Sequence, residues 1–259
     1  MELIFLGTGG GRFVTGYQNR DTGGIVVKTE ETHIHVDPGP GALVNSHREL
    51  EEPLETEALI VSHAHPDHAN DTEPLIGMMT QASDKPGALF GSESVLSGYG
   101  EVEKAVSDYH KDLCLTVKTL KDGSNYSFKD VEIESQEMSH GDPKTQGFTL
   151  KTDEKKIGFW TDTEYSDELT QFYIDCDTLV IYCGRPKNAG IKGHTSLDDV
   201  PKISDETEVE NIIITHFGQK FLNSDMEKQK EWLENQVNAK VTFAEDGMKY
   251  PGNRRLEDF

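Results

Sequence analysis

Cysteine is scarce, three residues in 259, and Cys114, Cys176 and Cys183 show no C-x-x-C spacing. That excludes a disulfide framework and suits a reducing cytoplasm, with the thiols read as small buried hydrophobes. Long apolar runs are missing as well. The longest, such as Ala58–Val61 and Ile212–Ile214, are far too short to span a bilayer, so no membrane partner is expected. The opening Met1-Glu2-Leu3-Ile4-Phe5-Leu6-Gly7 lacks a basic stretch and reads as a first strand rather than a signal peptide. Basic residues are few: 25 Lys and Arg stand against 47 Asp and Glu, a net charge of −22. A field of that sign aids solubility and repels nucleic acid over most of the surface. No repeat, low-complexity tract or Pro/Gly/Ser-rich linker is present, and neither a Walker A pattern nor G-x-G-x-x-G follows the early glycines.

What is present is an alternation of short β-rich runs and helical stretches. Strands are expected at 2–6, 25–28, 33–36, 58–62, 88–91, 115–119, 126–128, 131–138, 147–152, 156–161, 178–182, 211–215 and 240–242. Helices are expected at 42–49, 71–80, 101–108, 167–173, 197–204 and 225–238; the last is amphipathic, with Met226, Trp232, Leu233 and Val237 among charges. Two mixed sheets packed face to face and covered by helices satisfy this order. One domain over residues 1–259 is expected, because the chemistry-bearing residues run from 63 to 216 and no short segment could hold them alone.

The strongest signal is His63-Ala64-His65-Pro66-Asp67-His68, which follows the apolar Leu59-Ile60-Val61 and precedes a cap-like Asn70-Asp71. A loop leaving a strand can turn four polar side chains toward one point, and imidazole with carboxylate suits zinc, manganese or iron. Two ions would share the block, His63 and His65 on one, Asp67 and His68 on the other. His140, Asp162 and His216 each follow a hydrophobic strand, and His194 sits in Gly193-His194-Thr195-Ser196 before a helix. Any one alone would be an ordinary polar residue; their recurrence after the histidine block argues for a shared centre. Asp162 is the natural bridging carboxylate, since its two oxygens can hold two cations. His33-Ile34-His35-Val36-Asp37 also reads H-x-H-x-D, but strand alternation puts all three on one face, so His33 and His35 are taken as structural or surface residues. Asp37, ahead of Pro38-Gly39-Pro40-Gly41, could orient a ligand histidine from behind. His47 and His110 carry no signal.

With these residues in place, the sequence resembles the metallo-β-lactamase superfamily, in its ribonuclease Z-like branch, over nearly the whole chain. The resemblance implies an αββα four-layer sandwich of two mixed β-sheets with a binuclear site at the sheet edges. Carried over residue by residue, it implies His63, His65 and His140 on one divalent metal ion and Asp67, His68 and His216 on a second. Asp162 then bridges, His194 protonates the leaving group, Asp67 acts on the water, and the subunit forms a homodimer. Zinc is the expected metal, with manganese or iron as alternatives.

Two departures shape the substrate expectation. Only 22 positions separate His140 from Asp162, leaving no room for the branch's tRNA-gripping arm, and its basic Arg-Asn motif near the N-terminus is not reproduced. With the charge of −22, this favours a small phosphodiester or nucleotide-like substrate over nucleic acid. Arg185, Lys187 and Lys192 form a small basic patch before His194 that could greet a phosphate, and Gly7–Arg12 could approach an anion through its backbone; ordinary loop chemistry accounts for both equally well. The expected activity is a cytoplasmic phosphodiesterase using a metal-bridging hydroxide. The alternatives are a tRNA 3′-processing endoribonuclease, a thioester or lactone hydrolase, and a non-catalytic metal-binding protein.

Overall fold

The computed structural model describes residues 1–49 and 53–251. The first sheet uses β1 (Glu2–Gly7), β2 (Thr22–Lys28), β3 (His33–Val36), β4 (Ala58–Val61), β5 (Ala88–Ser92) and β6 (Thr116–Leu120). The second uses β7 (Ser124–Phe128), β8 (Val131–Glu137), β9 (Gln146–Lys151), β10 (Lys156–Trp160), β11 (Thr178–Tyr182), β12 (Asn211–Thr215) and β13 (Lys240–Phe243), after which β14 (Lys249–Tyr250) returns to the first. Both sheets are seven-stranded and mixed, in the orders β14-β1-β2-β3-β4-β5-β6 and β13-β12-β11-β10-β9-β8-β7. The β3–β6 and β10–β13 pairings are parallel.

The helices α1 (Gly11–Tyr17), α2 (Ala42–Arg48), α3 (Pro66–Ala69), α4 (Thr72–Thr80), α5 (Glu93–Ser97) and α6 (Asp108–Leu113) accompany the first sheet in the chain. Between the later strands of the second lie α7 (Asp167–Tyr173), α8 (Val200–Thr207), α9 (Gln219–Leu222) and α10 (Met226–Glu234). Alternation builds the layers. Phe5, Ile25, Val36 and Ile60 meet Ile133, Phe148, Phe159 and Val180 in one core between the sheets. Intervening residues such as Leu59 and Val61, or Trp160, Leu179 and Ile214, pack in separate outer cores with helical residues. The chain is therefore an αββα sandwich, and its central strands read as unbroken apolar runs because both faces are covered. Among the described residues no helix is long and apolar enough to cross a membrane.

Several expected elements shift. No helix covers 101–107; Gly98 and Gly100, just ahead of it, take positive φ, and the helix begins only at Asp108, where the Ser107 hydroxyl accepts from the His110 amide. The helix expected at 197–204 runs instead from Val200 to Thr207, with Pro201 in its first turn, where proline is favoured. The glycine-rich segment after β1 becomes α1, which periodicity did not indicate.

Of the two readings of His33 and His35, structural or surface, the first holds: both are buried. The His35 Nε2–H donates to the Gly23 carbonyl at 2.7 Å, and burial pushes its pKa down to about 4. His35 is thus neutral in the folded chain, whereas the unfolded chain takes up a proton below about pH 6.5. The unfolded state binds more protons in this window, so the contribution is complete above pH 6.5 and is lost as pH falls toward 4. The pKa gap corresponds to about 3 kcal/mol. Urea unfolding with chelator present should show this loss between pH 6.5 and 4, and His35→Gln should flatten the profile there. Parallel profiles would count against it.

Candidate metal centre

The ends of four strands and one loop converge on a single point at one edge of the sandwich. β4 delivers His63, His65, Asp67 and His68, the last two on the short helix α3 whose first turn contains Pro66. β8 leads to His140, β10 to Asp162 and β12 to His216. His216 takes φ 61°, a costly conformation for a non-glycine residue, and its chain is held there by the Phe217 amide donating to the Thr8 carbonyl at 2.8 Å. The two sheets are thereby joined beside the centre.

The seven residues form two groups around one carboxylate oxygen. In the first, His65 Nδ1 lies 3.0 Å from His63 Nε2 and 3.2 Å from His140 Nε2. In the second, His68 Nε2 lies 3.0 Å from His216 Nε2 and 3.5 Å from Asp67 Oδ2. Asp162 Oδ2 stands between them, 3.9 Å from His63 Nε2, 3.7 Å from His140 Nε2 and 3.5 Å from His68 Nε2. Bonds of about 2.1 Å to a tetrahedral ion put neighbouring ligand atoms about 3.4 Å apart, close to these spacings.

Hydrogen bonds behind the rings fix which nitrogen carries the proton. Ser62 donates through N–H and Oγ–H to Asp37 (2.7 and 2.8 Å), so its hydroxyl oxygen accepts from His63 Nδ1–H at 3.0 Å. Asp37 Oδ2 also accepts from His68 Nδ1–H at 3.1 Å, and the Gly193 carbonyl accepts from His140 Nδ1–H at 2.6 Å. The Nε2 lone pairs of His63, His68 and His140 are therefore left facing the centre. Asp162 Oδ1 and His216 Nδ1, 3.3 Å apart and buried, have no hydrogen-bond partner among the described residues. Such orphaned polar atoms in a nitrogen-rich cradle fit divalent cations.

The electrostatics agree with that fit. Burial opposes ionisation of Asp162, but His216 and His68 outweigh it and hold the carboxyl well below its usual range. Asp67 behaves likewise, with burial opposed chiefly by His68. Burial alone would push His68 down, yet Asp67, Asp162 and Asp37 hold it well above the ordinary imidazole range: the cluster attracts positive charge. Burial keeps His63 well below that range.

Several supporting groups have no local sequence signature. Buried Asp142 accepts from the Ala64 amide (2.9 Å), the Ser94 hydroxyl (2.6 Å) and the Lys144 amide (2.9 Å), pinning the His63–His65 turn. Glu164 accepts from the Gly193 amide at 2.6 Å, holding the turn that carries both the His140 acceptor and His194. His194 is partly exposed, with Nδ1 3.9 Å from Asp162 Oδ1, and burial lowers its pKa. The Gly11 amide donates to Asp67 Oδ2 at 2.6 Å.

A cleft of about 450 Å³ opens over His194 and His216, with Arg12, Phe13, Arg185 and Lys220 on its walls. The basic patch expected from sequence is only partly there. Arg185 faces the cleft, but Lys187 lies over the Trp232 ring, 4.5 Å from its centroid, and neither Lys187 nor Lys192 lines it. The indole face draws the Lys187 ammonium toward α10. A larger cavity of about 540 Å³ lies at the other ends of the strands and includes none of the seven residues.

A family model described as the β-lactamase superfamily domain matches residues 32–217. An uncharacterized protein of Methanocaldococcus jannaschii is 37% identical over 252 residues, covering 96% of this chain and 94% of its own. The ribonuclease Z of Thermococcus sibiricus is 28% identical over 160 residues, 61% of this chain and 50% of that protein. Among solved structures, the metallo-β-lactamase fold protein YhfI of Bacillus subtilis superposes with a TM-score of 0.79, covering 96% of this chain and 98% of its own at 17% identity.

Proposed function

The chain belongs to the metallo-β-lactamase superfamily and is related to its ribonuclease Z-like branch, and from that premise we propose that it is a metal-dependent phosphodiesterase acting on small substrates, built as one hydrolase domain over residues 1–259. His63, His65 and His140 would hold one cation, Asp67, His68 and His216 the other, with Asp162 shared; the imidazole-rich set favours zinc. Bound there, two divalent cations would acidify a water and offset the charge of a phosphodiester.

The remaining steps belong to the chain. Asp67 orients the attacking water and accepts its proton, its Oδ2 aligned by the Gly11 amide. Asp37, through His68 and Ser62, keeps the rings in the tautomers that face the centre. His194, at the floor of the cleft, gives a proton to the departing alkoxide. One P–O ester bond breaks as the water oxygen bonds phosphorus, leaving a phosphomonoester and an alcohol. The observation that carries this reading is the position of Asp162 Oδ2 between two nitrogen-rich groups, with His194 set beside them on the cleft side.

Between His140 and Asp162 the chain forms only the β9–β10 hairpin, so the branch's tRNA-gripping arm has no counterpart, which supports a small substrate over precursor tRNA. A thioester hydrolase would have little use for His194, because a thiolate leaves without a proton. The test compares leaving groups on zinc- or manganese-loaded protein. His194→Ala should lower kcat on a thymidine dinucleotide about 10²-fold or more, the scale of general acid catalysis. It should cost bis(p-nitrophenyl) phosphate much less, since p-nitrophenolate needs no proton. Absence of any phosphodiester turnover, or equal loss on both substrates, would overturn the assignment.

A further inference from the structure

The cleft beside the candidate centre has a composition at odds with the rest of the chain. In a sequence with 47 acidic and 25 basic residues, its walls carry Arg12, Arg185 and Lys220 and no carboxylate among the described residues. Chance would favour the opposite sign, as the larger cavity illustrates with Glu30, Glu31, Asp130, Glu132, Asp153 and Glu154. Among the described residues no hydrogen bond or ion pair engages the Arg12 guanidinium or the Lys220 ammonium. Arg185 is held by its Nε–H, which donates to the Ala189 carbonyl at 3.0 Å, so its guanidinium is positioned rather than free to roam.

The same walls carry apolar groups left in solvent. Phe13 on α1 is 61% exposed, and Ile191, which also lines the cleft, is 45% exposed. Exposed side chains of this size in a concave wall offer a flat apolar body something to pack against. At about 450 Å³ the cleft falls in the range of small-molecule sites. The scissile phosphate would sit at the metal centre, so the three cations await a different anionic group of the same ligand.

Resting on the phosphodiesterase reading, we infer that the cleft seats a nucleotide: one arm of the substrate diester is a nucleoside with a further phosphate, its base packed between Phe13 and Ile191 and that phosphate held by Arg12, Arg185 and Lys220. Each requirement is met by side chains that line this one cleft. The base supplies a flat face for Phe13, and the added phosphate supplies the negative charge that Arg and Lys recognise.

Three p-nitrophenyl diesters test this on zinc-loaded protein: methyl p-nitrophenyl phosphate, thymidine 5′-(p-nitrophenyl phosphate), and the latter with a 3′-phosphate. Release of p-nitrophenolate should rise in kcat/KM about 10-fold at each addition, about 1.4 kcal/mol per step. Phe13→Ala should remove most of the first step, and Arg12→Ala with Lys220→Ala most of the second; added salt should shrink the second selectively. Calorimetry with thymidine 3′,5′-bisphosphate gives a readout without turnover, with binding expected in the wild-type protein and weakened in Phe13→Ala and in Arg12→Ala. A flat series with turnover of the methyl ester, and no binding of the bisphosphate, overturns this inference while the phosphodiesterase reading survives. Bisphosphate binding that depends on Phe13 and Arg12, without turnover of any ester, upholds the cleft assignment and removes the phosphodiesterase reading. Loss of both removes both.

Discussion

On the proposed two-zinc phosphodiesterase reading, Asp162→Asn should cut the metal held per chain to one ion or none and lower phosphodiester kcat/KM by about 10³-fold or more, about 4 kcal/mol of barrier. The size of the effect follows from position. Asp162 Oδ2 approaches atoms of both histidine groups, within 3.9 Å of His63 and 3.5 Å of His68, so one substitution touches both corners. Asparagine keeps the shape and removes the charge. It leaves the neighbouring imidazoles packed as before but without the buried anion that draws cations among them. Metal content by mass spectrometry, on protein whose fold is checked by circular dichroism, separates this from unfolding. A variant with a full pair of ions and near-normal turnover would refute the shared role.

The second large effect is steric and involves no ligand directly. Gly10 has extended backbone, φ −153° and ψ 163°, which any residue can adopt, but a Cβ there would lie 2.1 Å from His216 Nε2. His216 has little freedom to retreat. Its ring stacks on Tyr182 at 5.3 Å and 7°, and the Gly10 amide is bonded to the Phe217 carbonyl at 3.2 Å. Gly10→Ala should therefore displace His216, empty the corner it shares with Asp67 and His68, and lower kcat/KM by about 10²-fold, with about 1–3 kcal/mol lost from stability through overpacking. Gly16→Ala is the matched control. It lies in α1, no atom comes within 4 Å of its added Cβ, and it should raise stability by about 0.5–1 kcal/mol. If Gly10→Ala binds metal and turns over like Gly16→Ala, the steric argument is wrong.

How much of this could be read in the chain depended on where the information lay. The block from His63 to His68 announces itself because its residues are adjacent, and His140, Asp162 and His216 stand out because each ends an apolar run. Strand positions were legible for the same reason: β11 and β12 follow the expected bounds, since a strand buried on both faces has few polar residues inside it. The supporting residues were not legible. Asp142 and Glu164 look like loop acids, and only the fold brings them to the Ala64 and Gly193 amides. Ser62 and Gly10 act through contacts set by other strands. Lys187 misled because nearness in sequence to His194 says nothing of Trp232, 45 positions on, whose ring holds its ammonium. The acidic composition also concealed the basic cleft, because Arg12 and Lys220 reach it from segments more than 200 residues apart.

The first sheet borrows its outermost strand from residues 249 and 250, and the Thr8 amide and hydroxyl both donate to Asp246, 238 positions away. During synthesis, then, β1 is made long before residues 249 and 250, which cover its edge. Closing so large a loop is slow, and an apolar edge left open meanwhile invites association with neighbouring chains. Expression yield should accordingly be more sensitive to Asp246 and its surroundings than to many buried residues made earlier.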